Sequence, residues 1–124
     1  MKDELISWET AKLAKEKGCL INDEKCFNFY NTSKVLIENA NVPEKLYPNE
    51  YEAISQSLLQ RWLREVHKTH LHICYFPETK KWNVDIYKYE EDNGLMNNPL
   101  EFQNNDTYEQ ALEKGLKEGL KLIK

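Results

Sequence analysis

Cysteine is scarce in this 124-residue chain: three residues, an odd number, at positions 19, 26 and 74. None stands at CxxC spacing, so no disulfide framework is expected, and a reducing, cytoplasmic setting fits best. Glycine and proline are equally sparse, four of each, which excludes collagen-like and mucin-like chains. No apolar run approaches the roughly 18 residues needed to cross a bilayer, so no membrane partner is expected. The opening MKDELISWE carries acids where a secretory signal would place basic and apolar residues, so none is expected there. Basic charge is short as well. The net charge of −4 argues against a protein that coats DNA. Four scattered glycines supply neither a phosphate loop nor a dinucleotide fingerprint, and no serine stands in a GxSxG context.

What remains is ordinary material for a globular domain: 40% hydrophobic and 31% charged residues. A chain of this size buries roughly two-thirds of its unfolded surface, enough for one core, and residues 1–124 are read as a single domain. The charge is uneven. Residues 1–52 are net −3, residues 53–88 net +3 and residues 89–124 net −4, and all three histidines lie in the basic middle.

The first predicted element is a helix over 8–17, with Ser7 as N-cap, Glu9 at the positive end of its dipole and Gly18 as its stop. A hairpin follows, residues 25–31 and 34–38 joined through Thr32-Ser33, and residues 39–53 read as loop. Ile54, Leu58, Leu59, Trp62, Leu63 and Val66 recur at helical spacing, with Ser55 or Ser57 as cap. Next, Leu71, Ile73 and Tyr75 alternate with polar residues, as do Trp82, Val84 and Ile86, across a five-residue loop 77–81. Residues 90–99 read as a polar loop turning at Asn93-Gly94, and residues 100–103 as a short edge strand. The last helix starts from Asp106 as N-cap with Glu109 three residues on. Its apolar stripe is Tyr108, Ala111, Leu112, Leu116, Leu120 and Ile123, with Gly115 and Gly119 at its centre. Two glycines there each cost about 1 kcal/mol against Ala, which close approach to the sheet, or to a second copy in a homodimer, would offset. The expected fold is α+β: one antiparallel sheet of four to five strands with packed helices, in the order α-β-β-α-β-β-(β)-α.

The segments SLLQRWLREVH (57–67) and TYEQALEKGLKEGLKLI (107–123) are the most distinctive. With the Trp82 hairpin and the opening SWETAKLAKEKG, they make the chain resemble small uncharacterised prophage and mobile-element proteins of anaerobic gut bacteria. The resemblance implies a compact α+β domain with a role in phage biology. It brings no site residues.

The residues themselves offer three candidate chemistries. Arg61, Arg64 and Lys68 fall within about 60° on the wheel of the second helix, opposite its apolar side. Only Glu65 stands near enough to neutralise one of them, and Tyr87 and Tyr89 lie on the far side of the following hairpin. This stripe suits an anionic partner, either an acidic protein surface or nucleic-acid phosphate bound weakly. His70, His72 and Cys74 share one face of a strand, with Asp85 on the paired strand. Same-face residues two apart stand 6.5–7 Å apart at their bases, which argues against three converging on one ion, so no metal and no cofactor are expected. A small hydrolase built on His70, His72 or Cys74 is the third reading. It lacks a recognisable nucleophile context, no catalytic residue is assigned, and an enzyme is not favoured. The acidic run Glu90-Glu91-Asp92 reads as a solvated loop. The favoured function is a non-enzymatic binding or accessory protein of a phage or mobile element, acting through protein contacts, with a weak nucleic-acid-binding module as the alternative. Arg61, Arg64, Lys68 and Tyr87 are its candidate binding residues.

Overall fold

A computed structural model describes residues 4–19, 27–40, 48–90, 94–95 and 100–123. Its α-helices are α1 (Trp8–Glu16), α2 (Gln56–His67) and α3 (Tyr108–Lys121). The strands are β1 (Phe27–Tyr30), β2 (Leu36–Ala40), β3 (Tyr51–Glu52), β4 (Thr69–Phe76), β5 (Lys81–Glu90), β6 (Gly94–Leu95) and β7 (Leu100–Asn105). The class is α+β, as expected. The strands do not form one sheet, however. They form two antiparallel sheets, one ordered β2-β1-β3 and one built on β5, with β4 and β7 on its two sides and β6 pairing its end.

The division has a local cause. Tyr51 and Glu52, inside the stretch read as loop, pair with Tyr30 and Phe29 and complete the small sheet. The β1–β2 connection is longer than a Thr32-Ser33 turn. The Asn31 side chain accepts from the Ser33 and Val35 amides, and Lys34 adopts φ +64°. This rolls the chain into a five-residue loop, Asn31 to Val35, and sets Tyr30 opposite Leu36. Lys25, Cys26 and Asn93, which entered the predicted hairpin and turn, lie outside the described residues, and Gly94 belongs to β6.

Each helix begins with a side-chain cap. Ser7 accepts from the Thr10 amide, Ser55 from Leu58 and Thr107 from Gln110. The last corrects the expected Asp106 cap by one residue. Gln110 instead returns its side-chain oxygen to the Asp106 amide, so a capping-box-like pair forms one step along. Ile54, assigned by periodicity to α2, precedes it. Its carbonyl accepts from the Ile6 amide at 2.9 Å, beside the Leu5–Ser55 bridge that ties the N-terminal segment to the start of α2. The β4–β5 turn is four residues, 77–80, with Lys80 at φ +57°, because Lys81 already pairs with Phe76.

The core gathers Ile6, Ala11 and Ala14 from the α1 region, Leu59 and Leu63 from α2, and Leu112, Leu116 and Leu120 from α3. Val84 and Ile86 are fully buried on the β5 face below α3. That helix lies close to the sheet. A Cβ placed at Gly115 would stand 2.7 Å from Val84 Cγ2, and one at Gly119 would stand 3.4 Å from Leu63 Cδ1. The glycine stripe therefore meets the molecule's own sheet and α2, through side chains, not backbone. Several expected core positions are more open. Trp62, Ile73 and Trp82 are only half-buried, while Val66, Tyr75 and Tyr108 are exposed.

Candidate functional site

The basic stripe is the first candidate, and the structure disperses it. Arg61 and Arg64 are exposed on α2, and Arg61 Nε lies 3.2 Å from Glu65 Oε1. Lys68 does not belong to the helix. It is the C-cap, turned to φ +52°, with its amide donating to the Leu63 carbonyl. The helix thus ends one residue before it. His67, ending the helix, packs its ring edge-on to Trp62 at 4.6 Å between centroids. Burial, with the charge of Lys88 adding to it, pushes His67 below the usual imidazole range, so it adds no charge near neutral pH. Tyr87 stands elsewhere. Val84 and Ile86 face α3, so by strand alternation Asp85 and Tyr87 face the opposite side of the sheet. Of the four predicted binding residues, Arg61 and Arg64 share a surface.

That opposite face, on which no helix lies among the described residues, is the second candidate. The register sets His70 against Tyr87, His72 against Asp85 and Cys74 against Asn83, and Asp85 in turn against Glu101. The row across the middle is thus His72, Asp85 and Glu101. Burial and the neighbouring Glu101 charge raise the Asp85 carboxyl above its usual range, and His72 pulls it back only in part. Glu101 accepts from Gln103 at 2.7 Å and from Asn83 at 3.5 Å. Cys74 Sγ stands 3.5 Å from His72 Nδ1 and 3.7 Å from Nε2. No group of three or more His, Cys, Asp or Glu among the described residues is arranged to hold a metal ion.

A third feature was not foreseen as a surface. At the hairpin end of β4 and β5 the helix-bearing face of the sheet runs on past the start of α3. There Tyr75 packs on Trp82 at 4.9 Å, and Trp82 meets Tyr108 edge-on at 5.6 Å. Tyr75 and Tyr108 are 46% and 41% exposed, and Phe76, also exposed, points by strand alternation to the opposite face. An ion pair between Lys81 and Asp106 borders the cluster. Alternation in the sequence marked Tyr75 and Trp82 as apolar-face residues, but not that the helix above them begins too late to cover them.

Between the N-terminal segment and α3 lies a cleft of about 410 Å³, lined by Glu4, Ser7, Gln56, Thr107, Glu109 and Glu113 among others. Its centre is occupied by the protein itself. One Glu113 oxygen accepts from the Ser7 amide at 3.2 Å, the Ser7 hydroxyl at 3.0 Å and the Thr10 hydroxyl. The other accepts from Gln56 Nε2 at 3.1 Å. The carboxylate thus sits at the positive end of α1 and joins it to α2. Among the described residues no buried side-chain nitrogen or oxygen lacks a hydrogen-bond partner. No described helix is long and apolar enough to cross a membrane. Comparisons with protein-family models, curated proteins and solved structures find no match to this chain.

Proposed function

We propose that this protein is a non-enzymatic binding module that works through protein contacts, with the aromatic cluster Tyr75–Trp82–Tyr108 as the contact surface. The observation that carries the reading is the exposure of these rings at one end of the sheet, already packed against one another. Aromatic side chains supply large contact area for little conformational entropy and are enriched at the centres of protein interfaces. Ordering them in advance lowers the cost of binding. A role as an accessory factor of a phage or mobile element extends this reading and rests on the sequence resemblance. Weak nucleic-acid binding through α2 is the less favoured alternative. Glu65 offsets Arg61, and Lys68 lies past the end of the helix, which leaves few phosphate contacts and a shallow salt dependence.

Proximity labelling in the cell of origin tests the proposal. A Tyr75→Ser/Tyr108→Ser variant should lose the protein neighbours of the wild type, while Arg61→Glu/Arg64→Glu should retain them. Steeply salt-dependent DNA or RNA binding that only the Arg61→Glu/Arg64→Glu pair abolishes would put the alternative first.

A further inference from the structure

We infer that the cluster of Tyr75, Trp82 and Tyr108 takes a proline-rich peptide in the polyproline II conformation, which rests on the reading of that cluster as a protein-contact surface. The first observation is what the rings offer besides area. Among the described residues, Tyr75 Oη, Trp82 Nε1 and Tyr108 Oη make no hydrogen bond. Tyr75 and Tyr108 are exposed. Trp82 is half-buried, yet no buried side-chain nitrogen lacks a partner among those residues, so its Nε1 reaches solvent. The surface therefore presents three free donors beside three rings. The second observation is charge. Around the cluster stand Glu78 and Lys80 of the β4–β5 turn and the ion pair of Lys81 with Asp106, two charges of each sign. Glu109, next to Tyr108, lines the separate cleft with Ser7. The surface thus attracts neither a polyanion nor a polycation.

These two properties sort the ways a polymer can dock on rings. A single nucleic-acid strand needs cations for its phosphates beside the stacking platform, and Lys81 is already paired with Asp106. A helical peptide satisfies its carbonyls internally and brings few acceptors to the three donors. An added β-strand is held by the backbone of a sheet edge, not by rings on a sheet face. A polyproline II chain makes no internal hydrogen bonds, so its carbonyls stand free, and each proline lacks an N–H of its own. It needs donors and aromatic faces, and it arrives already extended, with little conformational entropy left to lose. The dimensions agree. The rings follow one another at centroid steps of 4.9 and 5.6 Å. At full stretch that row is little more than one polyproline II turn, roughly 9.3 Å for three residues. Two prolines three apart can therefore meet Tyr75 and Tyr108, with Trp82 between them.

The test titrates the isotope-labelled full chain with decaproline and follows its amide and indole N–H signals. The Trp82 indole signal should move to saturation, while those of Trp8 and Trp62 stay in place. Tyr75→Phe and Tyr108→Phe keep the rings and remove one donor each. Both should melt like the wild type and bind about 2- to 10-fold more weakly, the worth of one neutral hydrogen bond. Added salt should leave the affinity unchanged, since no free charge takes part. Tyr75→Ser/Tyr108→Ser should show no shift. Four results would each overturn the inference: no shift at millimolar decaproline, undiminished affinity in both Phe variants, shifts that persist in the serine pair, or tighter binding of an alanine-rich helical peptide, oligothymidylate or a cello-oligosaccharide. The broader reading is decided separately. If decaproline fails while the serine pair still loses its neighbours in proximity labelling, the contact surface stands and its occupant is another. If the serine pair keeps those neighbours, both readings fall.

Discussion

Gly115 and Gly119 look alike in the sequence, one turn apart on the same apolar stripe, yet they answer to different surroundings. The methyl group of Gly115→Ala would press on Val84 Cγ2, which lies in a fully buried position, so the expected change is a loss of about 1–3 kcal/mol despite better helix propensity. At Gly119 the same methyl reaches ordinary contact distance from Leu63 and Thr69, and Gly119→Ala should gain up to about 1 kcal/mol. Urea denaturation of the two variants checks the sign of each. Asp85 gives a pH-dependent counterpart. Its folded carboxyl binds a proton more tightly than the unfolded one, so folding is favoured at low pH and disfavoured as pH rises through the folded value. Asp85→Asn should therefore raise the melting temperature at neutral pH, and the gain should vanish below the ordinary carboxylate range near pH 4. Melting curves from pH 3 to 8 test it; a gain that persists at pH 3 would show that charge is not the cause. Cys19 is buried, and desolvation, with Glu52 nearby, pushes its thiol up to about 12. Its alkylation near neutral pH should therefore wait for unfolding, which mass-resolved labelling with and without denaturant would show.

At the scale of elements, caps decide where helices begin. Thr107→Ala should cost about 1 kcal/mol, and Asp106→Ala less, since Asp106 contributes only an exposed ion pair with Lys81. Equal losses in chemical denaturation would restore the cap to Asp106. The sequence placed α2, the β4–β5 hairpin and α3 because each carries a long periodic pattern whose buried side is unambiguous. Of the small sheet only the β1–β2 hairpin was legible; its third strand escaped, since β3 is two residues long and its partner is chosen by tertiary pairing with β1. The helical period also ran too far in both directions. Ile54 fits the wheel, but Ser55 claims the cap; Lys68 fits it too, but the chain turns left-handed there to enter β4. Of the candidate site residues, Arg61 and Arg64 were legible as an exposed pair. The convergence of His72 with Cys74 was not, because a backbone period says which side chains share a face and nothing of how they lean.

Across the whole molecule, one carboxylate holds together parts of the chain that are far apart in sequence. Glu113 of α3 closes hydrogen bonds with Ser7 and Thr10 at the start of α1 and with Gln56 at the start of α2. Thr10 is fully buried and Gln56 nearly so. Glu113→Ala should therefore cost about 1–3 kcal/mol by leaving those donors without an acceptor, measurable as a drop in the denaturation midpoint. Leu116 and Leu120, both fully buried, place the hydrophobic contacts of the same helix at the centre of the core. The order in which these pieces come into being matters. A chain made from its N-terminus has α1 and α2 in hand while their shared acceptor and their apolar cover are still to be translated. At 5–20 residues per second, residues 68–121 take roughly 3–10 s to add. During that interval Leu59, Leu63 and the amide of Ser7 have no final neighbours, and the nascent chain can only sample partial collapse. The folding of these elements thus waits on the synthesis of α3, which brings both their shared acceptor and their apolar cover.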